Sequence, residues 1–292
     1  MKILLLGGTG FIGRNIQAQR PNWSWTSFGS SDVDLMQQEE VDRISGNYDI
    51  VLNSAGFFGG IPFNQHYQRE ILYRNTIMSM NICRLVDRLK PKKFVTIGSA
   101  CVYPKDVINT MHEDQISVEN YHPSIRYSAM SKQWLLKTMQ TMDIDWEFLI
   151  LSNVYGPGEH LDYERSHFIG SFINKIKNSV GTIEMLGTGA GVRDFVYVTD
   201  AAEAICRYCE LEKATCKPTN ISTGSGTSVK EIVEIMLDLA ESNLNLNWGN
   251  PKDDGVLHKV LSNQKMLKDL NYQPPTTIKQ GLEQTWKWFN SA

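Results

Sequence analysis

The strongest constraint on this chain lies in its first nineteen residues. Lys2-Ile3-Leu4-Leu5-Leu6 is a short apolar run of the length expected for a buried parallel strand. Gly7, Gly10 and Gly13 follow in G-x-x-G-x-x-G spacing, and Phe11–Gln19 then reads as a helix. In such a unit the first glycine permits the tight turn. The second removes a side chain where a pyrophosphate approaches the backbone, and the third lets helix and strand pack closely. The phosphates then sit on the helix N-terminus, where free N–H groups and the dipole favour negative charge. Gly7, Gly10, Phe11, Ile12, Gly13, Arg14 and Ala55 are the candidate dinucleotide contacts.

The rest of the chain continues the alternation. Strands are expected at 25–28, 49–53, 93–98 and 146–151, with helices at 71–89, ending before Pro91, and at 127–142. Strands and helices of these lengths in alternation give a doubly wound parallel sheet with helices on both faces. After residue 155 the rhythm breaks. A helix at 167–180, a strand at 183–186, a capping-box helix opened by Ser228 and Glu231 and running to Ala240, and a final helix before Ala292 remain. The expected architecture is an α/β Rossmann domain over 1–155, with 195–224 returning to it, and a smaller C-terminal substrate-binding lobe formed mainly by 156–292.

Composition narrows the function. A net charge of −3 over 292 residues argues against a nucleic-acid partner, which calls for a basic patch. No apolar run approaches the roughly 20 residues that cross a bilayer, so no membrane partner is expected. The N-terminal apolar run is too short for a signal-peptide core. Five cysteines, an odd number, suit reduced thiols in a cytoplasmic protein. Cys206-x-x-Cys209 lies in a helical stretch with no second Cys/His pair, so packing is the expected role and no metal is expected.

The cofactor's identity turns on the second strand, which ends Phe28-Gly29-Ser30-Ser31. An NAD enzyme usually places a carboxylate there for the ribose 2′-hydroxyl. Asp32 and Asp34 come later, and Ser30, Ser31 and Arg14 suit a 2′-phosphate. NADP(H) is the expected cofactor, with NAD(H) as the alternative.

Several further segments carry a family resemblance: Asn53-Ser54-Ala55-Gly56-Phe57-Phe58-Gly59-Gly60-Ile61, Gly98-Ser99-Ala100-Cys101-Val102-Tyr103-Pro104, Asn153-Val154-Tyr155-Gly156-Pro157, Ser166-His167, and Gly187-Thr188-Gly189 with Arg193-Asp194-Phe195. The chain resembles the extended short-chain dehydrogenase/reductase family, and within it the GDP-L-fucose synthase subfamily of 3,5-epimerase/4-reductases. The resemblance implies a nucleotide-diphosphate sugar as substrate, an NDP-4-keto and GDP-linked one, and a homodimer built on the helices at 71–89 and 128–142. It implies Ser99, a tyrosine and Lys132 for the hydride step, with Lys132 also holding the nicotinamide ribose. Cys101 and His167 would exchange protons beside the keto group. Asn153, Lys175, Arg193 and Lys259 would bind substrate, Arg193 foremost because a guanidinium fork matches phosphate oxygens. Trp23, Trp25 and Trp248 could stack on a base.

One departure matters. The family pattern is Tyr-x-x-x-Lys, whereas this sequence reads Tyr127-Ser128-Ala129-Met130-Ser131-Lys132. Positions i and i+4 share a helix face, which puts Ser128 where the tyrosine belongs unless the helix begins irregularly and delivers Tyr127. Three readings follow: a bifunctional epimerase/reductase, an epimerase that has lost the reductive step, or a non-catalytic NAD(P)-binding interaction protein.

Overall fold

Lys2–Leu6 forms β1, in which Ile3, Leu4, Leu5 and Leu6 are wholly buried. This computed structural model describes residues 1–160 and 165–291 of the chain. From β1 the chain runs through α1 (Phe11–Gln19), β2 (Ser24–Phe28), α2 (Gln38–Asp42), β3 (Ile50–Asn53), α3 (Ile61–His66) and α4 (Gln68–Leu89). It continues through β4 (Lys93–Ser99), α5 (Arg126–Met139) and β5 (Asp145–Leu151). The second half comprises β6 (Asn153–Tyr155), α6 (Phe168–Asn178), β7 (Thr182–Glu184), β8 (Val192–Arg193), β9 (Phe195–Tyr197), α7 (Val198–Glu210) and β10 (Pro218–Ile221). It closes with β11 (Thr227–Ser228), α8 (Val229–Leu239), β12 (Asn245–Asn247), β13 (His258–Lys259), α9 (Gln264–Leu270) and α10 (Ile278–Ser291). Ala292 lies outside the described residues.

The central sheet has six parallel strands in the order β10-β5-β4-β3-β1-β2. Strand order reverses between β1 and β3, and ligands of such sheets bind at the carboxyl ends of the strands at that point. Successive side chains alternate between faces. Leu4, Leu6, Phe94, Phe148 and Ile150 pack on one side with Ile82, Val86 and Leu136 from α4 and α5. Ile3, Leu5, Val95 and Leu149 pack on the other with Ile16, Ile205 and Tyr208 from α1 and α7. A third core, with Tyr155, Ile173, Phe195, Ile232 and Leu282, holds the C-terminal elements together.

The stretch from α7 to β10 crosses back to the sheet: α7 covers α1, and β10 pairs with β5 as its sixth strand, while β9 pairs with β6 in a separate two-stranded sheet. Cys206 and Cys209 are buried in that packing, and no metal-holding His/Cys/Asp/Glu group occurs among the described residues. The return is fastened by Lys93, buried at the start of β4. Its Nζ donates to the carbonyls of Tyr208 at 3.0 Å, Cys209 at 3.3 Å and Leu211 at 2.6 Å, supplying a cation and three donors to the C-terminal end of α7. At the start of α8, Ser228 Oγ accepts the Glu231 N–H at 3.1 Å, one arm of the expected capping box.

Candidate active site

The glycine loop lies at the switch point. Gly7 has φ +84°, and a Cβ there would meet the backbone of Ala55 at 2.6 Å, so the loop runs directly against the end of β3. A Cβ on Gly13 would strike the Gly7 carbonyl and lie 2.8 Å from Gly8 Cα. Gly10 differs: it is the N-cap of α1 with no side-chain cap, and a Cβ there would meet only the Gly7 carbonyl, at 3.2 Å. The first turn of α1 holds no acidic residue, and beyond the Gly7 carbonyl nothing lies within 4 Å of a Gly10 Cβ, so the space before this helix N-terminus is open. This fits a dinucleotide pyrophosphate held by Gly10, Phe11 and Ile12 backbone, with Lys132 at the nicotinamide ribose; the bound nicotinamide would supply or accept a hydride.

One expected cofactor contact is committed elsewhere. Arg14 Nη2 donates to the Gly158 carbonyl at 2.7 Å and Nη1 to the Thr9 carbonyl, so its guanidinium ties α1 to the Gly156-Pro157-Gly158 loop instead of reaching towards Ser30. Ser30 is exposed beside Gly29, but the β2 tip is not free of acid. The turn after it brings Asp32 back so that its carboxylate accepts the Gly29 N–H at 2.7 Å. Residue spacing alone puts Asp32 past the strand tip because it does not register this turn.

Lys132 is buried in α5, its Nζ donating to the Ile97 carbonyl in β4 at 2.7 Å and lying 5.1 Å from the Phe58 ring. Burial pushes its pKa down to about 8. The α5 helix begins at Arg126 directly after a 3₁₀ turn at Pro123–Ile125, so Tyr127 and Ser128 both lie in regular helix. Ser128, one turn before Lys132, is buried, and its Oγ has no partner among the described residues. Tyr127 is half-buried. The regular helix removes the irregular start that would have delivered Tyr127 to the Lys132 face.

Ser99 closes β4, and its Oγ accepts the Cys101 N–H at 3.4 Å, starting the 3₁₀ turn Ala100–Val102. The thiol of Cys101 is buried, and desolvation raises its pKa; the Ser99 hydroxyl and the charges of Lys259 and Lys132 pull it back. Tyr103 is fixed by Asn220 Oδ1 at 2.7 Å and is part of the core.

Arg193 and Lys259 are direct partners in the parallel β8–β13 pair. Both are half-buried, and burial lowers both pKa values, Arg193 adding to the effect on Lys259. Arg193 Nη1 donates to the Val192 carbonyl at 2.9 Å and Nη2 to the Asp254 carbonyl at 3.2 Å. The neighbouring Asp194 is buried and raised to about 6 by desolvation, while it accepts from Thr223 and Gly224. Asn153 Nδ2 donates to the Asp194 carbonyl at 2.8 Å, so its amide braces this strand. Lys175 is not gathered into the cluster: its Nζ is committed to the Glu184 carbonyl at 2.7 Å. His122 joins it unforeseen, with burial and the charges of Lys105, Lys259 and Arg193 lowering its pKa.

His167 is the N-cap of α6. It is exposed, and desolvation and the neighbouring His160 lower its pKa. The Gly59-Gly60 loop joins this region to the cofactor end: a Cβ on Gly60 would meet the Ser166 carbonyl at 2.9 Å, while Phe58 covers Lys132. The tryptophans serve packing. Trp23 and Trp25 lie 5.4 Å apart against the core of α1 and α7, and Trp248 packs over Gly189. Sequence reasoning missed His122, Phe58 and Glu159; only the Tyr-Gly-Pro-Gly run preceding Glu159 gave a signal.

The chain and its fold have known relatives. Residues 3–224 match the model of the NAD dependent epimerase/dehydratase family. GDP-L-fucose synthase 1 of Arabidopsis thaliana is 26% identical over 99% of this chain and 93% of its own. Among solved structures, a GDP-6-OMe-4-keto-L-xylo-heptose reductase from C. jejuni superposes with TM-score 0.90 at 17% identity, over 99% of this chain and 97% of that one. A GDP-L-fucose synthetase from Naegleria fowleri bound to NADP gives 0.86 at 22% identity, over 99% and 92%. The chain belongs to the NAD-dependent epimerase/dehydratase family, the NAD(P)-dependent enzymes of the extended short-chain dehydrogenase/reductase type that include nucleotide-sugar epimerases and reductases.

Proposed function

We propose that this enzyme acts on a GDP-linked 4-keto sugar, exchanging protons at the carbons beside the ketone and using NADP(H). The observation that carries the reading is the position of Cys101. Its thiol is within electrostatic reach of Lys132, at the cofactor end, and of Lys259, the partner of Arg193. A sugar whose diphosphate rests on Arg193 and Lys259 has its ring at that thiol. The ketone acidifies the flanking C–H bonds, so a base removes a proton and the electron pair moves onto the carbonyl oxygen. Ser99 is placed to donate a hydrogen bond to that oxygen. Return of a proton from the opposite face inverts the centre, with Cys101 and His167 as the two acid–base groups. Burial shifts the two in opposite directions, the thiol upwards and the imidazole downwards, so near neutral pH the thiol is the proton donor of the pair and the imidazole the base.

A second reading, epimerisation without reduction, is favoured by Ser128. It occupies the Lys132 face with a hydroxyl that has no partner among the described residues, and an alcohol is a far weaker acid than a phenol. Loss of a positioned general acid typically removes about 10² to 10⁴ in rate. The two readings separate in deuterated water with NADPH and a GDP-4-keto sugar. Deuterium entry that outpaces NADPH consumption, and that Cys101→Ser suppresses, supports epimerisation alone. Brisk NADPH oxidation abolished by Tyr127→Phe and untouched by Ser128→Ala restores the bifunctional reading.

The same reading includes a homodimer. Tyr73 and Met80, seven residues apart on α4, are 60% and 61% exposed, and Trp134 on the adjoining α5 is 61% exposed. A second copy of the α4–α5 pair is the occupant such a face suits.

A further inference from the structure

Glu159 is a buried carboxylate that the reaction as described above does not use. It is 3% exposed, and its Oε1 accepts the backbone N–H of His167 at 2.8 Å. Its Oε2 is buried with no hydrogen-bond partner among the described residues. The carboxyl lies against α6 at Gly170, where a Cβ would approach Cδ to 3.2 Å, so the absence of a side chain there admits it to the helix N-terminus. Helix dipoles favour a carboxylate at such an end, yet a capping carboxylate is ordinarily solvated. One with a free buried oxygen retains a protonation site that a saturated cap lacks.

We propose that Glu159 is a positioning residue for His167: its carboxyl holds the backbone N–H from which the imidazole projects, and when ionised it favours the imidazolium. The inference rests on the acid–base role given to His167 above. Burial raises the Glu159 carboxyl to about 7, whereas His167 titrates below its ordinary range. The imidazole therefore loses its proton first as pH rises, and ionisation of Glu159 near neutrality then increases its basicity. Among the described residues His160 also bears on His167, and its positive form acts in the opposite direction.

The test is an NMR titration of the substrate-free full-length protein with ¹⁵N-labelled histidine, the His167 resonance being assigned by its loss in His167→Asn. The expected result is two inflections for His167, the second near 7, the pKa of Glu159. Glu159→Gln, whose amide oxygen still accepts the His167 N–H, should abolish the second inflection, and Glu159→Asp should restore it at a shifted pH. A single inflection that is the same in wild type and Glu159→Gln overturns the proposal. Deuterium exchange into a GDP-4-keto sugar, followed against pH, is the companion measurement. Glu159→Gln should lower the kcat of exchange above neutral pH while leaving KM in place. Two inflections without any exchange in the wild type would defeat the epimerase reading and leave the Glu159–His167 coupling intact.

Discussion

Arg193 and Lys259 stand side by side on paired strands, two cations in register with burial acting against both charges. Like charges directly opposite are destabilising by up to about 1 kcal/mol in a sheet. An anion between them reverses that sign. Lys259→Met should therefore raise the ligand-free unfolding midpoint slightly while weakening GDP binding roughly tenfold to a hundredfold, as loss of a charge-assisted bond worth about 1.5–3 kcal/mol requires. Calorimetry and denaturant melts on the same sample check both signs; an unchanged affinity would remove Lys259 from the diphosphate site.

The glycines of the first loop should separate into two kinds. Gly13→Ala forces a methyl onto the Gly7 carbonyl and Gly8, and overpacking of this sort typically costs about 1–3 kcal/mol of stability. Gly10→Ala meets one atom at 3.2 Å and should fold with little loss, yet its methyl enters the phosphate cradle. We expect NADPH affinity to fall at least about tenfold in Gly10→Ala without a matching drop in melting temperature. The same titration with NADH checks the cofactor choice, since tighter NADH binding would assign the Asp32 carboxylate to a ribose hydroxyl.

Lys132 predicts a pH dependence. Burial lowers its pKa from the ordinary 10.5 to about 8, so between those values the unfolded chain holds a proton that the folded chain has released. Stability contributed by this group therefore grows as pH rises through that window, by at most about 1.4 kcal/mol per pH unit. Lys93 and Lys259 are shifted the same way, so the comparison is between wild type and Lys132→Met. Urea midpoints measured from about pH 7.5 to 10 should rise less steeply in the variant. Parallel slopes would mean that Lys132 stays charged in the folded protein.

Thiol chemistry gives a direct check on the buried site. Cys216 is exposed, whereas Cys83, Cys101, Cys206 and Cys209 are buried. Burial raises the thiols of those four, with Cys83 and Cys206 at about 12. A disulfide reagent at neutral pH should modify one thiol quickly, and Cys216→Ser should remove that phase. A second fast phase that GDP slows would show Cys101 to be accessible and more acidic than its burial implies.

Charge on the α4–α5 face should separate the protomers. Tyr73→Glu with Trp134→Glu is expected to shift sedimentation from a dimer to a 33.2 kDa species without loss of helix content. A wild type that already sediments at that mass at micromolar concentration refutes the assembly.

The first half of the fold was legible because its signals are local. Lys2–Leu6, the glycine loop and α1 follow one another in sequence, and Trp146–Leu151, apolar but for Glu147, has the length and residue types of a buried strand. The strand β10, Pro218–Ile221, was not: Pro-Thr-Asn-Ile carries no apolar pattern, and it becomes a strand because β5 offers it an edge. The site divided in the same way. Ser99, Cys101 and Lys132 fall on one region because β4 and α5 place them there. The commitments of Arg14 to Gly158, Lys175 to Glu184 and Asp32 to Gly29 depend on turns and contacts between distant segments, which residue spacing does not encode.

The late arrival of β10 bears on how this polypeptide is made. Until residues 218–221 emerge, β5 is the rim of the sheet, and Trp146, Phe148, Leu149, Ile150 and Leu151 line it. A nascent chain halted earlier, or a gene truncated at the apparent break near residue 155, presents that rim to any neighbouring strand. Such fragments should collect in inclusion bodies, and a recombinant piece meant to isolate the nucleotide-binding half must extend past Ile221 to remain in solution.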